Sequence, residues 1–270
     1  MSDADRWKIT PGKPAHLDRI DPSSSAGSVG GKAGRLVATT RLEQRIAELH
    51  DRLWAERKHA VLLVLQAIDT GGKDGTIGHV LRGLNPQGVK VASFKAPSEL
   101  ERSHDFLWRV HQVVPAKGEL GVFNRSHYED VLVVRVHDLV PESVWRPRYD
   151  QINAFEEQLA AEGTTIVKCF LHISKDEQKK RLQARLDDPD KQWKFKKADL
   201  AERAHWDDYM AAYDEAITET STEVAPWHVI PANSKSYRNL AVSTILLDAL
   251  ERLAPQYPPP EDDLTGVTVA

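Results

Sequence analysis

A short apolar run over residues 61–67 passes directly into Ile68-Asp69-Thr70-Gly71-Gly72-Lys73-Asp74-Gly75-Thr76. A strand without polar alternation is covered on both faces, which calls for a parallel sheet with helices above and below it. Further candidate strands lie at 89–94, 120–123, 165–173 and 227–230, each separated from the next by a stretch of helical spacing. The pattern predicts an α/β fold in three layers, a five-stranded parallel sheet with helices on both faces. Ahead of the first strand, Leu42, Ile46, Leu49, Leu53 and Trp54 recur every three or four residues and predict a helix over 36–57 that packs on the sheet.

With 270 residues, 41% of them hydrophobic, the chain can bury a full core, and no internal repeat or second domain boundary interrupts it. The expected organisation is one domain over 35–253 between two flexible ends. Residues 1–34 hold Pro11, Pro14, Pro22, a run of three serines and five glycines, which predicts an extended or mobile arm without a fold of its own. The tail over 254–270, with Pro255, Pro258, Pro259 and Pro260, reads as disordered. A helical insertion from Asp176 to about Thr220 separates the fourth and fifth strands, and its first part, about 176–205, has the composition of a mobile lid. A last helix over 240–253 closes the domain.

Function classes narrow by elimination. The apolar runs fall far short of the roughly 20 residues a membrane-spanning helix needs. The first six residues are polar and of mixed charge, unlike a secretory signal. A single cysteine, Cys169, rules out an intramolecular disulfide framework or a cysteine-based zinc site and fits a reducing cytoplasm. The net charge is only -4, so any affinity for polyanions must come from local clustering.

The first cluster is the glycine loop. Gly71, Gly72 and Gly75 let backbone amides approach an anion, the following helix N-terminus adds partial positive charge, and Lys73 can reach terminal phosphate oxygens, with Asp74 and Thr76 in the same turn. The strict G-x-x-x-x-G-K-[ST] pattern fails at two positions: Ala67 replaces the first glycine and Asp74 follows the lysine. An ordinary Gly-rich turn is the plain alternative. Asp69 argues against it, because a carboxylate beside a phosphate site is repelled unless a cation lies between them. It suggests an acid linked to magnesium or a group that orients the acceptor.

A second loop after the third strand, Phe123-Asn124-Arg125-Ser126-His127-Tyr128-Glu129-Asp130, should lie beside the first, since ligands in open α/β sheets bind beyond the carboxyl ends of strands. Asn124 and Arg125 would face the phosphates, and Glu129 with Asp130 could hold magnesium or simply form an acidic first helical turn. Within the insertion, residues 175–203 carry ten basic against seven acidic side chains. Arg181 and Arg185 share one helical face, where an anion would offset their repulsion. The segment Lys191-Gln-Trp193-Lys194-Phe195-Lys196-Lys197 interleaves aromatics with cations, a texture that also suits single-stranded nucleic acid, although no recognised nucleic-acid motif accompanies it.

Taken together, the two loops, the lid stretch Lys180-Arg181 to Arg185 with Trp193-Lys194-Phe195, and Ala225-Pro226-Trp227 with Ile230-Pro231-Ala232 resemble polyphosphate kinase family 2, relatives of thymidylate kinase among the P-loop kinases. The resemblance runs from about Leu36 to Leu253. It implies a P-loop kinase domain whose aspartate-bearing glycine loop accounts for both failures of the strict pattern. Many members have Phe-Asp-Arg-Ser where this chain has Asn124. That departure passes metal binding to Glu129 or Asp130 and looks like the subclass that phosphorylates both nucleoside monophosphates and diphosphates.

The implied reaction moves the terminal phosphoryl group of inorganic polyphosphate to AMP or ADP with Mg2+, or with Mn2+ in its place. Asp69, Lys73 and Arg125 would be catalytic, and Asp69, Glu129 and Asp130 would bind the metal. The polyphosphate would be gripped by Gly71, Gly72, Lys73, Asp74, Gly75, Thr76, Asn124, Arg125, Lys180, Arg181, Arg185 and Lys194. The resemblance further implies a homo-oligomer, a dimer or tetramer, with no nucleic-acid or membrane partner. Two rivals stand beside this reading: an ATP-dependent nucleoside monophosphate kinase, and a non-catalytic polyanion binder built on Lys191 to Lys197.

Overall fold

The computed structural model describes residues 3–269. Five strands, β1 (Ala60–Gln66), β2 (Val89–Ser93), β3 (Leu120–Asn124), β4 (Thr164–His172) and β5 (Trp227–Pro231), form one parallel sheet in the order β2-β3-β1-β4-β5. The helices are, in chain order, α1 (Gly31–Glu56), α2 (Lys73–Val80), α3 (Glu99–Arg102), α4 (Trp108–His111), α5 (Glu129–Val136), α6 (Glu142–Trp145), α7 (Arg148–Ala161), α8 (Lys175–Leu186), α9 (Ala198–Ala204), α10 (Trp206–Thr220) and α11 (Lys235–Leu253). The three-layer α/β architecture expected from the sequence is the one observed.

Strand β1 is buried at every position because it sits at the centre of the sheet with helices on both sides. Its side chains alternate between two cores, as the pleat requires. Val61, Leu63 and Leu65 pack in one core with Ile46, Leu49 and Leu53 of α1 and Ile245 and Leu246 of α11. Leu62 and Val64 pack in the other with Val131 of α5, Phe155 of α7 and Tyr213 of α10. Parallel register sets Leu65 of β1 level with Asn124 of β3 and Cys169 of β4. The loops leaving β1 and β3 therefore emerge side by side, at the point where the chain switches from building one half of the sheet to the other.

The N-terminal arm needs correction. It has no domain of its own, but it is neither extended nor loose over 3–29. Trp7 is buried against Tyr237 and donates from Nε1 to its hydroxyl at 3.2 Å. The Ile9 amide bonds the Trp227 carbonyl at 2.8 Å, and the Leu17 amide bonds Asp214 at 2.7 Å. Prolines and glycines limit the arm to two short 3-10 helices, Asp3–Trp7 and Leu17–Arg19, without forbidding packing, and burying a large apolar side chain is worth roughly 1.5–3 kcal/mol. Helix α1 also starts at Gly31, five residues before the expected start at Leu36, from Gly30 in the left-handed region. The tail after Ala254 forms no helix or strand among its described residues. No helix among the described residues is long and apolar enough to cross a membrane.

Candidate active site

The residues after β1 climb out of the sheet and turn into α2. Thr70 and Gly72 make the turn in the left-handed region, at φ 66 and 103. Gly71 closes it, since a Cβ there would lie 2.4 Å from the Ala67 Cβ. A non-glycine residue in this region stores strain, which the tight fold of the loop must offset. The first amides of α2 lack helical partners and, with Gly71, Gly72 and Gly75, line a cleft of about 860 Å3. Lys73 is buried and its Nζ reaches back to the Ala67 carbonyl at 2.9 Å. Burial, then the nearby Arg125 charge, lowers its pKa to about 8, against the pull of Asp69, Glu129 and Asp74. Thr76 does not face the cleft. It is fully buried, and its hydroxyl donates to the Gly72 carbonyl, so the expectation that it binds phosphate is corrected to a role inside α2.

The β3 loop delivers the second half of the site. Arg125 stands at φ 61, tied by its amide to the Leu65 carbonyl at 3.1 Å. Its guanidinium joins the two loops: Nη2 donates to Asp69 at 2.8 Å and Nη1 to Glu129 at 3.3 Å. Burial works against this charge, but Glu129 and Asp69 outweigh it and raise the Arg125 pKa. Burial also raises the Glu129 pKa, with Arg125 and Lys73 opposing. Asn124 donates to Asp74 at 2.8 Å, a neutral link between the loops. Asp69, Asp74, Lys73, Asn124 and Arg125 all line the same cleft.

Asp130 lies elsewhere. It is held by Arg109 at 3.3 Å and Arg148 at 3.6 Å and is not part of the cleft lining. Consecutive helical residues point about 100° apart, so Glu129 meets Arg125 while Asp130 turns to the arginines behind. Glu129 is not part of the cleft lining either, so neither of these two expected metal ligands opens onto the cleft. Among the described residues no three acidic, histidine or cysteine side chains cluster as a metal cage. The donor set suits a magnesium ion all the same, since that ion is usually bound through one or two carboxylates plus substrate phosphates, and Asp69 and Asp74 face the phosphate cradle.

The segment from α8 to α9 splits the predicted basic residues. Arg185 lines the cleft with Lys191, Lys194 and Lys196. Lys180 is exposed and outside the lining, which corrects its assignment. Arg181 lines the cleft, but its five donors are engaged. Nε meets Glu177 at 2.7 Å, Nη1 the Thr70 and Gly71 carbonyls at 3.0 Å each, and Nη2 those of Ala232 and Asn233 at 2.6 and 3.1 Å. An arginine with every N–H satisfied by the protein has none to spare for a phosphate. In this structure it is a staple that joins the glycine loop, α8 and the β5 loop.

Sequence reasoning missed three cations that line the cleft: Lys95 after β2, and Lys235 and Arg238 in the first turn of α11. The available signal was positional, because a helix after the last parallel strand starts at the same edge of the sheet. Ten basic side chains now face three acidic ones around the cleft, a local positive field on a chain that is negative overall. Beneath the β3 loop lies a buried polar network. Lys168 donates to Glu156, the Tyr128 hydroxyl and the Thr220 carbonyl at 2.5, 2.8 and 2.6 Å, and His127 meets Glu156 at 3.2 Å. Glu156 stays ionised because Lys168 and His127 outweigh the cost of its burial.

Comparison with known proteins gives consistent matches. The model of the family described as Polyphosphate kinase 2 (PPK2) matches residues 32–258. An AMP/ADP-polyphosphate phosphotransferase of Meiothermus ruber is 58% identical over 256 residues, which cover 95% of this chain and 96% of that protein. An ADP-polyphosphate phosphotransferase of Rhodopseudomonas palustris is 51% identical, with 80% of this chain and 78% of that protein covered. The crystal structure of polyphosphate kinase 2 from Arthrobacter aurescens superposes with a TM-score of 0.94 at 50% identity, covering 98% of this chain and 94% of that one.

Proposed function

Because this chain belongs to the polyphosphate kinase 2 family, we propose that its cleft transfers the terminal phosphoryl group of inorganic polyphosphate to AMP and ADP. The observation that carries the reading is convergence. Asp69, Lys73 and Arg125 come from two loops and meet in one cationic cleft. Related proteins named for polyphosphate and AMP or ADP match over nearly the whole chain.

The transfer forms a bond from an acceptor phosphate oxygen to the terminal phosphorus and breaks the bond to the bridging oxygen. The shortened polyphosphate leaves with that oxygen's electron pair. The acceptor is already anionic near neutral pH, so the protein must chiefly position two polyanions and neutralise their charge. Lys73 and the amides of Gly72 to Gly75 are set to stabilise equatorial oxygens of the moving group. Arg125 holds Asp69 in place and offers its remaining donors to phosphate. Asp69 orients the attacking oxygen or carries the metal. Mg2+, with Mn2+ as substitute, would be held by Asp69 and Asp74 and would supply charge neutralisation between donor and acceptor. The cationic lid segment Lys191 to Lys197 opens onto this cleft, which favours a phosphate chain over nucleic acid as its ligand. A cytoplasmic setting, which rests on the single cysteine, and assembly as a dimer or tetramer, which rests on the family resemblance, complete the reading.

The test is donor choice. With Mg2+ and AMP, the purified protein forms ADP and then ATP from polyphosphate. If ATP is the effective donor and polyphosphate is inert, the chain is a conventional monophosphate kinase and the reading fails.

A further inference from the structure

Arg238 is a charge without a counter-charge. It is 3% exposed, and its Nε and Nη2 bond the neutral amide oxygen of Asn239 at 3.1 and 2.8 Å. No carboxylate opposes the unfavourable influences on it: burial first, then Arg181, lower its pKa to about 10. Its guanidinium also presses on the glycine loop. A Cβ on Gly72 would lie 2.0 Å from its Nη1, and one on Gly75 3.3 Å from its Nη2. Glycine at 72 therefore serves a φ of 103 and the close approach of an arginine at once. Lys235, one turn earlier, lines the same wall, and there too burial, Arg181 and Arg238 lower the pKa.

A buried cation that protein acids leave uncompensated is a binding site for an anion. The topology says which one. The cleft extends from the β2 and β3 edge, with Lys95, Asn124 and Arg125, across the loop after β1, to the β5 edge where α11 begins. Asp69 and Asp74 lie on the loop side that faces Arg125 and Asn124. Towards α11 the carboxylate near Arg181 is Glu177, already paired with it. A chain of phosphates without sugar or base suits a wall whose acids, Glu177 and Asp199, are already paired with Arg181 and Arg185.

We propose that Arg238, with Lys235, forms a subsite for the donor polyphosphate, gripping a phosphate behind the one transferred. This rests on the polyphosphate reading above and names residues for it. The assignment predicts that Arg238→Gln raises the KM for polyphosphate at least about tenfold while the KM for AMP stays within about twofold. Inorganic tripolyphosphate should raise the melting temperature of the wild-type protein and should fail to protect the variant. Without ligand, Arg238→Gln should melt no lower than wild type, because it removes an unpaired buried charge. Arg238→Lys should recover part of the polyphosphate KM. If Arg238→Gln does not fold, Lys235→Ala carries the test, with the same selective rise in KM. Unchanged polyphosphate KM and tripolyphosphate protection in these variants, with a lowered melting temperature for Arg238→Gln, would make Arg238 a packing residue and overturn the assignment. A wild-type protein that ignores polyphosphate would instead sink the functional reading itself.

Discussion

Lys73 should take up a proton when phosphate binds. In the free protein its pKa is lowered to about 8, by burial first and by Arg125 second. Phosphate oxygens against Nζ reverse both influences and return the pKa to about 10 or above. At pH 8.5 the free lysine is then about one quarter protonated and the bound one nearly fully so, an uptake of about 0.7 proton per site. At pH 7 the corresponding uptake is about 0.1 proton. Above pH 8, affinity for the anion should fall about tenfold per unit until the bound pKa is reached. The sign for folding is opposite: the unfolded chain holds the Lys73 proton up to the ordinary value of 10.5, so this residue makes the ligand-free protein more stable as pH rises from about 8 towards 10.5. Isothermal calorimetry with inorganic tripolyphosphate and no nucleotide, repeated in buffers of different ionisation enthalpy, measures the uptake directly. Lys73→Met supplies the baseline for protons on the ligand itself. Equal uptake at pH 7 and 8.5, or uptake that survives in Lys73→Met, would refute the reasoning.

Other parts of the site give equally direct expectations. Arg125→Lys keeps the charge but cannot reach Asp69 and Glu129 together, and kcat should drop about 10²–10³-fold in a steady-state assay with little change in melting temperature. Gly72→Ala meets both a left-handed φ and the Arg238 guanidinium, so denaturant titration should show a loss of at least about 1–2 kcal/mol, together with loss of polyphosphate binding. Lys168→Met leaves Glu156 buried without its ammonium and should cost about 3–5 kcal/mol of stability, whereas pairing it with Glu156→Leu should recover much of that loss.

The parts of the protein that were legible in the sequence are those whose signal is local. Strand β1 is apolar because both its faces are covered, and the loop after it needs glycines wherever its amides point, so both were visible without coordinates. That the loops bearing Asp69 and Arg125 lie side by side followed from topology, since β1 and β3 had to end level, whereas the ion pair between the two residues was not foreseen. The illegible parts depend on distant segments. Arg181 has the composition of a phosphate ligand, and only the distant carbonyls of Thr70, Gly71, Ala232 and Asn233, beside the local Glu177, show that its donors are engaged. Glu129 and Asp130 are equivalent as letters and differ by the turn of α5. Trp7 closes a short 3-10 helix that carries no sign of what buries it, because Tyr237, against which it packs, lies 230 positions later.

The central claim, that one cleft brings the donor phosphate to Lys73, Asp69 and Arg125 together, is tested most directly by a crystal structure with AMP and a methylene-bridged polyphosphate analogue that resists transfer. The account predicts the analogue's terminal group within hydrogen-bond reach of Lys73 Nζ and the amides of Gly72 to Gly75, with AMP phosphate at Arg125. An analogue lying along the outer face of the lid, with the glycine loop free of phosphate, would contradict it.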